Sequence, residues 1–116
     1  GQWVRAKSPD SFCPLGPAIV TSDEIPDPQR LDIRLTLNGD VMQSSNTREM
    51  VFGVAELISY LSRTMTLQPG DILLTGTPPG VGAGRDPQVF LRDGDRVVVE
   101  LEGIGALANR MRGQQA

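Results

Sequence analysis

Residues 75–84 carry the groups of this sequence that best suit an anionic ligand. An apolar run, Leu73-Leu74, gives way there to a loop that combines two threonines with glycine and proline. Glycine leaves backbone N–H groups accessible, and a threonine hydroxyl supplies a further donor. The loop lacks the Gly-Lys-Ser/Thr ending of a phosphate-binding P-loop, and no helical pattern follows it. A carboxylate nest, a wide mobile loop and a plain structural turn remain as interpretations.

Lys7 is the second candidate, because large apolar residues stand near this cationic residue in the sequence. Trp3 precedes it in the sequence and Phe12 follows it. A lysine held against apolar surface can pair with the carboxylate of a substrate. A lone lysine is more often a solvated surface charge, and the residues alone leave both interpretations open.

Paired carboxylates offer a weaker signal. Glu100 and Glu102 stand two residues apart on a predicted strand, so they share a face, and such a pair can bind a hard cation. A solvated strand face beside a turn is the more common arrangement. Asp71 and Asp95 each follow a turn and are predicted to serve that turn.

Composition excludes several classes of function. The chain has 116 residues and no histidine, which removes Ser-His-Asp and Cys-His nucleophile systems. A net charge of −3 argues against nucleic acid as a partner. No apolar stretch approaches the roughly 20 residues of a membrane span, so we expect no membrane partner. Cys13 is the single cysteine, which permits no internal disulfide and fits a reducing, cytoplasmic location.

Strand patterns dominate the elements that must position these groups. Four leucines and isoleucines alternate with polar residues over 31–37, which predicts a strand with one buried face. Asn38-Gly39 then favours a two-residue hairpin turn with a return strand at 41–43. Further strands are predicted at 18–21, 72–75, 97–102 and 106–111.

One helix is predicted, over about 54–66, from apolar residues at helical spacing. Pro69-Gly70 would end it, and Asn46 with Glu49 resembles a capping box upstream of it. The first residues, from Gln2 onward, show no helix start. These patterns predict a β-rich α+β fold rather than a parallel βαβ fold.

Several motifs resemble the C-terminal half of the fumarylacetoacetate hydrolase family, in order and at the family spacing. The nearest types are the bacterial 2-hydroxyhepta-2,4-diene-1,7-dioate isomerases and the acylpyruvate hydrolases. The motifs are Arg5-Ala6-Lys7-Ser8, Phe12-Cys13-Pro14-Leu15-Gly16-Pro17, Ser45-Asn46-Thr47, the helical stretch 54–63, Leu67-Gln68-Pro69-Gly70-Asp71 and residues 75–82.

This resemblance implies a mixed-sheet β-roll, a homodimer and a divalent cofactor, Mg²⁺ or Mn²⁺, that binds a 2-oxo acid and stabilises an enolate. It implies hydrolysis of C–C bonds in acylpyruvates, decarboxylation of oxaloacetate-like acids, or isomerisation of 2-hydroxyhepta-2,4-diene-1,7-dioate. Lys7 then corresponds to a catalytic lysine. Thr77, with the backbone of Gly76, corresponds to the group that holds the substrate carboxylate.

Two departures from the family pattern bear on these expectations. The family's metal ligands, a Glu-x-Glu pair and an aspartate, precede the stretch where this sequence begins, so Glu100 and Glu102 are not assigned to the metal. Residues 1–116 are therefore expected to be the C-terminal portion of a single catalytic domain. Pro9 also stands where relatives often carry phenylalanine. The alternative is an inactive β-rich fragment or interaction module without the metal site.

Overall fold

A four-stranded antiparallel sheet organises residues 2–113, the part of the chain that the structure, a computed structural model, describes. The strands lie in the order β2-β1-β3-β4. In chain order the elements are α1 (Trp3–Lys7), β1 (Asp32–Leu37), β2 (Asp40–Asn46), a 3₁₀ turn (Thr47–Glu49), α2 (Val54–Ser62), a second 3₁₀ turn (Gly82–Gly84), β3 (Arg96–Leu101) and β4 (Gly105–Arg110).

The first hairpin forms as its sequence predicts. β1 and β2 pair antiparallel around Asn38 and Gly39, whose φ angles of 53° and 98° suit the positive-φ turn that Asn-Gly favours. The return strand is longer than predicted and contains a β-bulge. Leu35 pairs with Gln43 while Thr36 pairs with Val41, so one extra residue, Met42, is inserted in β2.

The second hairpin also matches its prediction to within a residue at each end. β3 pairs with both β1 and β4, which places Val99 opposite Leu35 on one side and Leu107 on the other. One face of the sheet is therefore lined by aliphatic side chains, all partly buried. The glycine–proline loop lies against this face.

Both helices depart from the predictions, since α1 was not expected and α2 is shorter than predicted. Residues 3–7 form a single helical turn although no helix start was expected, because Arg, Ala and Lys favour helix. α2 begins as predicted but ends at Ser62, four residues early. Hydroxyls compete for its last carbonyls, since Ser62 Oγ donates to the Ser59 carbonyl at 3.1 Å and Thr64 Oγ1 to the Leu61 carbonyl at 3.4 Å.

The strands predicted at 18–21 and 72–75 are wrong. Neither segment pairs with another strand among residues 2–113, and each exposes most of its apolar side chains, with Val20 and Leu73 half-buried. Ile19 is 94% exposed and Leu74 is 76% exposed, so the expected burial of 72–75 is wrong as well. An apolar sequence forms a strand only where a neighbouring strand accepts its backbone hydrogen bonds.

The surface of the chain is large for its mass. Its accessible area is 9771 Å², whereas a folded monomer of 12.5 kDa exposes about 6,200 Å². Its radius of gyration is 15.8 Å, against about 13 Å for a compact domain of this length. Ile25 is the one buried hydrophobic side chain among residues 2–113. These residues therefore do not bury a full core by themselves.

Candidate functional site

The 75–84 loop and the end of β2 enclose a cavity of about 410 Å³. The loop forms one wall and contributes Gly76 and Thr77, both singled out by the sequence. The opposite wall comes from the sheet, the 3₁₀ turn that follows β2, and the start of α2. The lining residues are Ile33, Ser45, Asn46, Thr47, Glu49, Met50, Val51, Phe52, Leu57 and residues 75–79.

The 75–77 segment lines this cavity, and its backbone N–H groups are without a protein acceptor. Gly76 has a φ of +97°, a conformation that other residues adopt only with strain. Within residues 2–113, no acceptor takes a hydrogen bond from the backbone N–H of Thr75, Gly76 or Thr77. Unbonded N–H groups and a nearby hydroxyl are the donors that a carboxylate nest needs. The carboxylate nest stays a prediction.

The loop is fixed to β2 at the bulge. The Gln43 Nε2 donates to the Thr77 hydroxyl at 2.9 Å and to the Pro78 carbonyl at 2.6 Å. The Arg85 guanidinium donates to the Gly80 carbonyl at 3.1 Å and also to the Met42 carbonyl. These contacts place the loop over the apolar face of the sheet rather than leaving it unattached.

Three polar residues of the opposite wall are used by the fold. Thr47 Oγ1 accepts from the Leu31 N–H at 2.9 Å and donates to the Pro28 carbonyl at 2.7 Å. Asn46 accepts from the Arg48 N–H at 3.0 Å, so it caps a helical turn as predicted. Glu49 pairs instead with Arg48, at 3.2 Å, so the reciprocal half of the predicted capping box is absent. Ser45 also lines this wall, and within residues 2–113 its hydroxyl bonds to no other group.

Lys7 lies outside this arrangement. It sits exposed on α1 and lines neither this cavity nor a second one beside it. Trp3 is 77% exposed and Phe12 is 57% exposed, so the expected apolar surroundings of the lysine are not formed. Residues 2–24 make hydrogen bonds only among themselves within the described range. The structure brings Gly76 and Thr77 to one cavity and does not bring Lys7 there, and the catalytic role of Lys7 stays a prediction.

Three of the carboxylates considered in the sequence accept hydrogen bonds that stabilise turns and strand ends. Glu102 Oε2 accepts from the Asp32 N–H at 3.0 Å, and Asp71 Oδ2 accepts from the Gln68 N–H at 2.8 Å. Asp95 accepts from the side chain of Asn38 at 2.9 Å and from the Arg92 N–H at 2.7 Å, and these two bonds lower the pKa of Asp95 below its ordinary value of 3.8.

The predicted turn roles of Asp71 and Asp95 are confirmed by these bonds. In the described part of the chain, no three side chains of the types His, Cys, Asp and Glu come together to hold a metal ion. The divalent metal that the resemblance implies therefore does not fit the residues present here.

Helix length bears on membrane association. Across residues 2–113, no helix combines the length and the apolar character that crossing a bilayer requires. The cytoplasmic location stays a prediction.

The contacts of Gln43 and Arg85 escaped the sequence interpretation. From the sequence, Gln43 is the last residue of the predicted return strand, and Arg85 receives no assignment. A glutamine next to two aliphatic residues, Val41 and Met42, is the one local signal that could have drawn attention to it. The direction of the Gln43 side chain toward the loop depends on the bulge in β2.

Comparison with protein families decides the membership of this chain. The model of the family described as "Fumarylacetoacetate (FAA) hydrolase C-terminal" matches residues 1–112. The chain belongs to the fumarylacetoacetate hydrolase family. The resemblance drawn from the motifs is confirmed, including its restriction to the C-terminal portion.

Individual family members agree in sequence and in fold. The chain is 56% identical over 110 residues to the mitochondrial oxaloacetate tautomerase FAHD2A of Bos taurus, which covers 95% of this chain and 35% of that protein. It superposes with a TM-score of 0.83 and 45% identity on a 2-hydroxyhepta-2,4-diene-1,7-dioate isomerase from Mycobacterium marinum, covering 96% of this chain and 40% of that one.

A maleylpyruvate hydrolase from Sphingobium sp. SYK-6, solved with manganese(II) ion and pyruvate, gives a TM-score of 0.81 and 43% identity, covering 90% of this chain and 38% of that one. These likenesses confirm the β-rich α+β fold class of the family. The 116 residues span little more than a third of each of these proteins.

Proposed function

We propose that this chain supplies the carboxylate-binding part of a fumarylacetoacetate hydrolase family enzyme that acts on 2-oxo or 2-hydroxy-dienoate dicarboxylic acids. The reaction is hydrolysis of a C–C bond in an acylpyruvate or isomerisation of a dienoate such as 2-hydroxyhepta-2,4-diene-1,7-dioate. The observation that carries the proposal is the 75–77 segment, which lines a cavity of about 410 Å³ and whose backbone N–H groups have no protein acceptor within residues 2–113.

The groups of this chain would bind one end of the substrate. A carboxylate seated at Gly76 and Thr77 would accept from backbone N–H groups and from the Thr77 hydroxyl, and hydrogen bonds to a charged acceptor are about twice as strong as neutral ones. Pro78 and Pro79 follow at once, so the backbone beside the ligand is stiff. Fixed donors lose little entropy when the ligand binds, which favours a defined orientation of the 2-oxo group.

Metal chemistry would depend on residues that this chain does not contribute. Relatives include the hydrolase solved with manganese(II) and pyruvate, and a divalent ion, Mg²⁺ or Mn²⁺, is part of this proposal. Since residues 2–113 hold no cluster of three metal-ligating side chains, the ligands would come from outside them. Lys7 remains a candidate catalytic residue, and a homodimer remains the expected assembly.

The alternative is an inactive β-rich fragment or interaction module. Two observations favour it for the 116 residues taken alone, namely the missing metal ligands and the excess of exposed surface. The two hypotheses differ in the behaviour of the complete polypeptide encoded by the reading frame. The enzyme hypothesis expects it to bind pyruvate in the presence of Mn²⁺, and the alternative expects no binding.

The substitution Thr77→Val tests the proposed carboxylate contact. Valine keeps the β-branched shape and removes the hydroxyl, so we expect pyruvate, with Mn²⁺ present, to bind about 10- to 100-fold more weakly. Calorimetric titration of the complete polypeptide measures this. Thr66→Val is the matched control, because Thr66 is exposed and lines neither cavity. Equal pyruvate affinity in Thr77→Val and wild type would remove Thr77 from the site.

A further inference from the structure

The side-chain amide of Gln43 has a single possible orientation. Its Nε2 lies 2.6 Å from the Pro78 carbonyl and 3.5 Å from the Pro79 carbonyl. Both oxygens can only accept, so the nitrogen rather than the oxygen of the amide must face them. The two N–H groups are then directed to the Pro78 carbonyl and, at 2.9 Å, to Thr77 Oγ1.

This orientation decides what the Thr77 hydroxyl can do. A hydroxyl has one proton to donate and two lone pairs to accept with. The amide of Gln43 occupies a lone pair, so the Thr77 proton points elsewhere. The one protein acceptor near it within residues 2–113 is the Pro78 carbonyl at 3.5 Å, which is long for a hydrogen bond between two oxygens. The proton is left available to an acceptor in the cavity.

The bulge in β2 is what turns Gln43 toward the loop. If the register of Leu37–Asp40 and Thr36–Val41 continued without a bulge, Met42 would pair with Leu35 and Gln43 would lie opposite Arg34, on the other face of the sheet. With it, Gln43 lies opposite Leu35, on the face that the loop covers. The bulge also directs the Met42 carbonyl to the Arg85 guanidinium. Two successive residues at one bulge therefore hold both ends of the 77–85 stretch.

We infer that Gln43 is a positioning residue, which holds the Thr77 hydroxyl as a hydrogen-bond donor toward a 2-oxo carboxylate in the cavity. The inference rests on the proposed function for the identity of the ligand. Gln43 acts through Thr77 and through the backbone of Pro78. Its neutral amide sets the direction of the hydroxyl proton without adding charge to the site.

Three variants of the complete polypeptide test this role. Gln43→Met keeps the length of the side chain and removes both bonds, and we expect pyruvate, with Mn²⁺ present, to bind about tenfold more weakly. Gln43→Glu accepts the Thr77 proton instead of leaving it free and repels an anion, so it is expected to weaken binding about 100-fold or more. Gln88→Met is the matched control, because Gln88 also donates from Nε2 to a loop carbonyl, that of Ala83 at 2.8 Å, away from Thr77. It should leave the pyruvate affinity unchanged.

A double-mutant cycle separates positioning from a merely structural role. If Gln43 acts through the Thr77 hydroxyl, Gln43→Met weakens pyruvate binding less than threefold once Thr77→Val has removed that hydroxyl. Full additivity of the two losses would overturn the inference, as would an unchanged affinity in Gln43→Met beside a weakened Thr77→Val.

A wild-type protein that binds no pyruvate would overturn the proposed function instead.

Discussion

Three glycines of one loop provide a graded test of its placement. Gly80, Gly82 and Gly84 stand two residues apart, and the structure gives each a different surrounding. A Cβ on Gly80 would overlap the carbonyl oxygen of Met42 and lie 3.2 Å from the Gln43 side chain, at a φ of +105°. A Cβ on Gly82 would overlap the carbonyl oxygen of Val89, at an ordinary φ. A Cβ on Gly84 would meet nothing within 4 Å.

These surroundings set the expected costs of alanine. Gly80→Ala combines a strained φ, about 1–3 kcal/mol, with an overlap against backbone that cannot easily move, about 1–3 kcal/mol more. Gly82→Ala carries the overlap alone and should cost about 1–3 kcal/mol. Gly84→Ala should be neutral or stabilising by about 0.4–1 kcal/mol, because alanine restricts the unfolded chain. The predicted order of stability is Gly84→Ala, then Gly82→Ala, then Gly80→Ala.

Denaturant unfolding of the complete polypeptide measures the three free energies, and amide exchange shows whether the loop alone has opened. If the loop opens locally, Gly80→Ala loses less free energy of unfolding than expected. Amide exchange of residues 76–85 would then increase from Gly84→Ala to Gly82→Ala to Gly80→Ala. Gly84→Ala serves as the matched control, since it introduces the same methyl group in the same loop. If it destabilised the protein as much as Gly80→Ala, the loop could not lie against β2 as described.

Three further predictions follow from the surface and the charges. The 116-residue chain alone exposes about 3,600 Å² more surface than a folded monomer of its mass, whereas a standard protein–protein interface buries about 800 Å² per partner. Sedimentation of this chain should therefore show self-association. A compact monomer would contradict this prediction. Calorimetric titration of that chain with Mn²⁺ should show no tight stoichiometric binding, and such binding would place metal ligands within it. The lowered pKa of Asp95 stabilises the fold above the unfolded value, and this contribution is lost as the pH falls through the folded pKa. Asn38→Gly keeps the positive-φ turn but removes the side-chain bond, so an NMR titration should find the pKa of Asp95 closer to 3.8, with that of Asp23 unchanged.

The sequence predicts strands well where the pairing partner is close in the chain. The hairpin around Asn38-Gly39 is complete within a few residues, so alternation and turn chemistry suffice to define it. The strand predicted at 97–102 is equally readable, because it opens with three β-branched valines and ends at the Gly103 turn. The apolar segments 18–21 and 72–75 carry the same local signal and form no strand. A local pattern cannot show whether a partner is present to pair with it.

The sequence pointed to residues 75–77, which line the cavity, but not to Gln43, which holds that segment. Glycine and threonine at 75–77 have intrinsic properties, a permitted positive φ and a hydroxyl, that suit an anion in any fold. The role of Gln43 depends instead on register, since one inserted residue reverses the face on which every following side chain lies. No residue-level signal in Val41-Met42-Gln43 predicts that insertion.

The position of the cavity links its chemistry to the exposed surface. β2, which holds the loop, is an edge strand of the sheet, and Phe52 and Val51 at the cavity are 55% and 87% exposed. Water that enters such an open cavity competes for the donors at Gly76 and Thr77, so each hydrogen bond to a carboxylate contributes less than it would in a closed site. A surface that covers Phe52 and Val51 would therefore exclude water from the same donors.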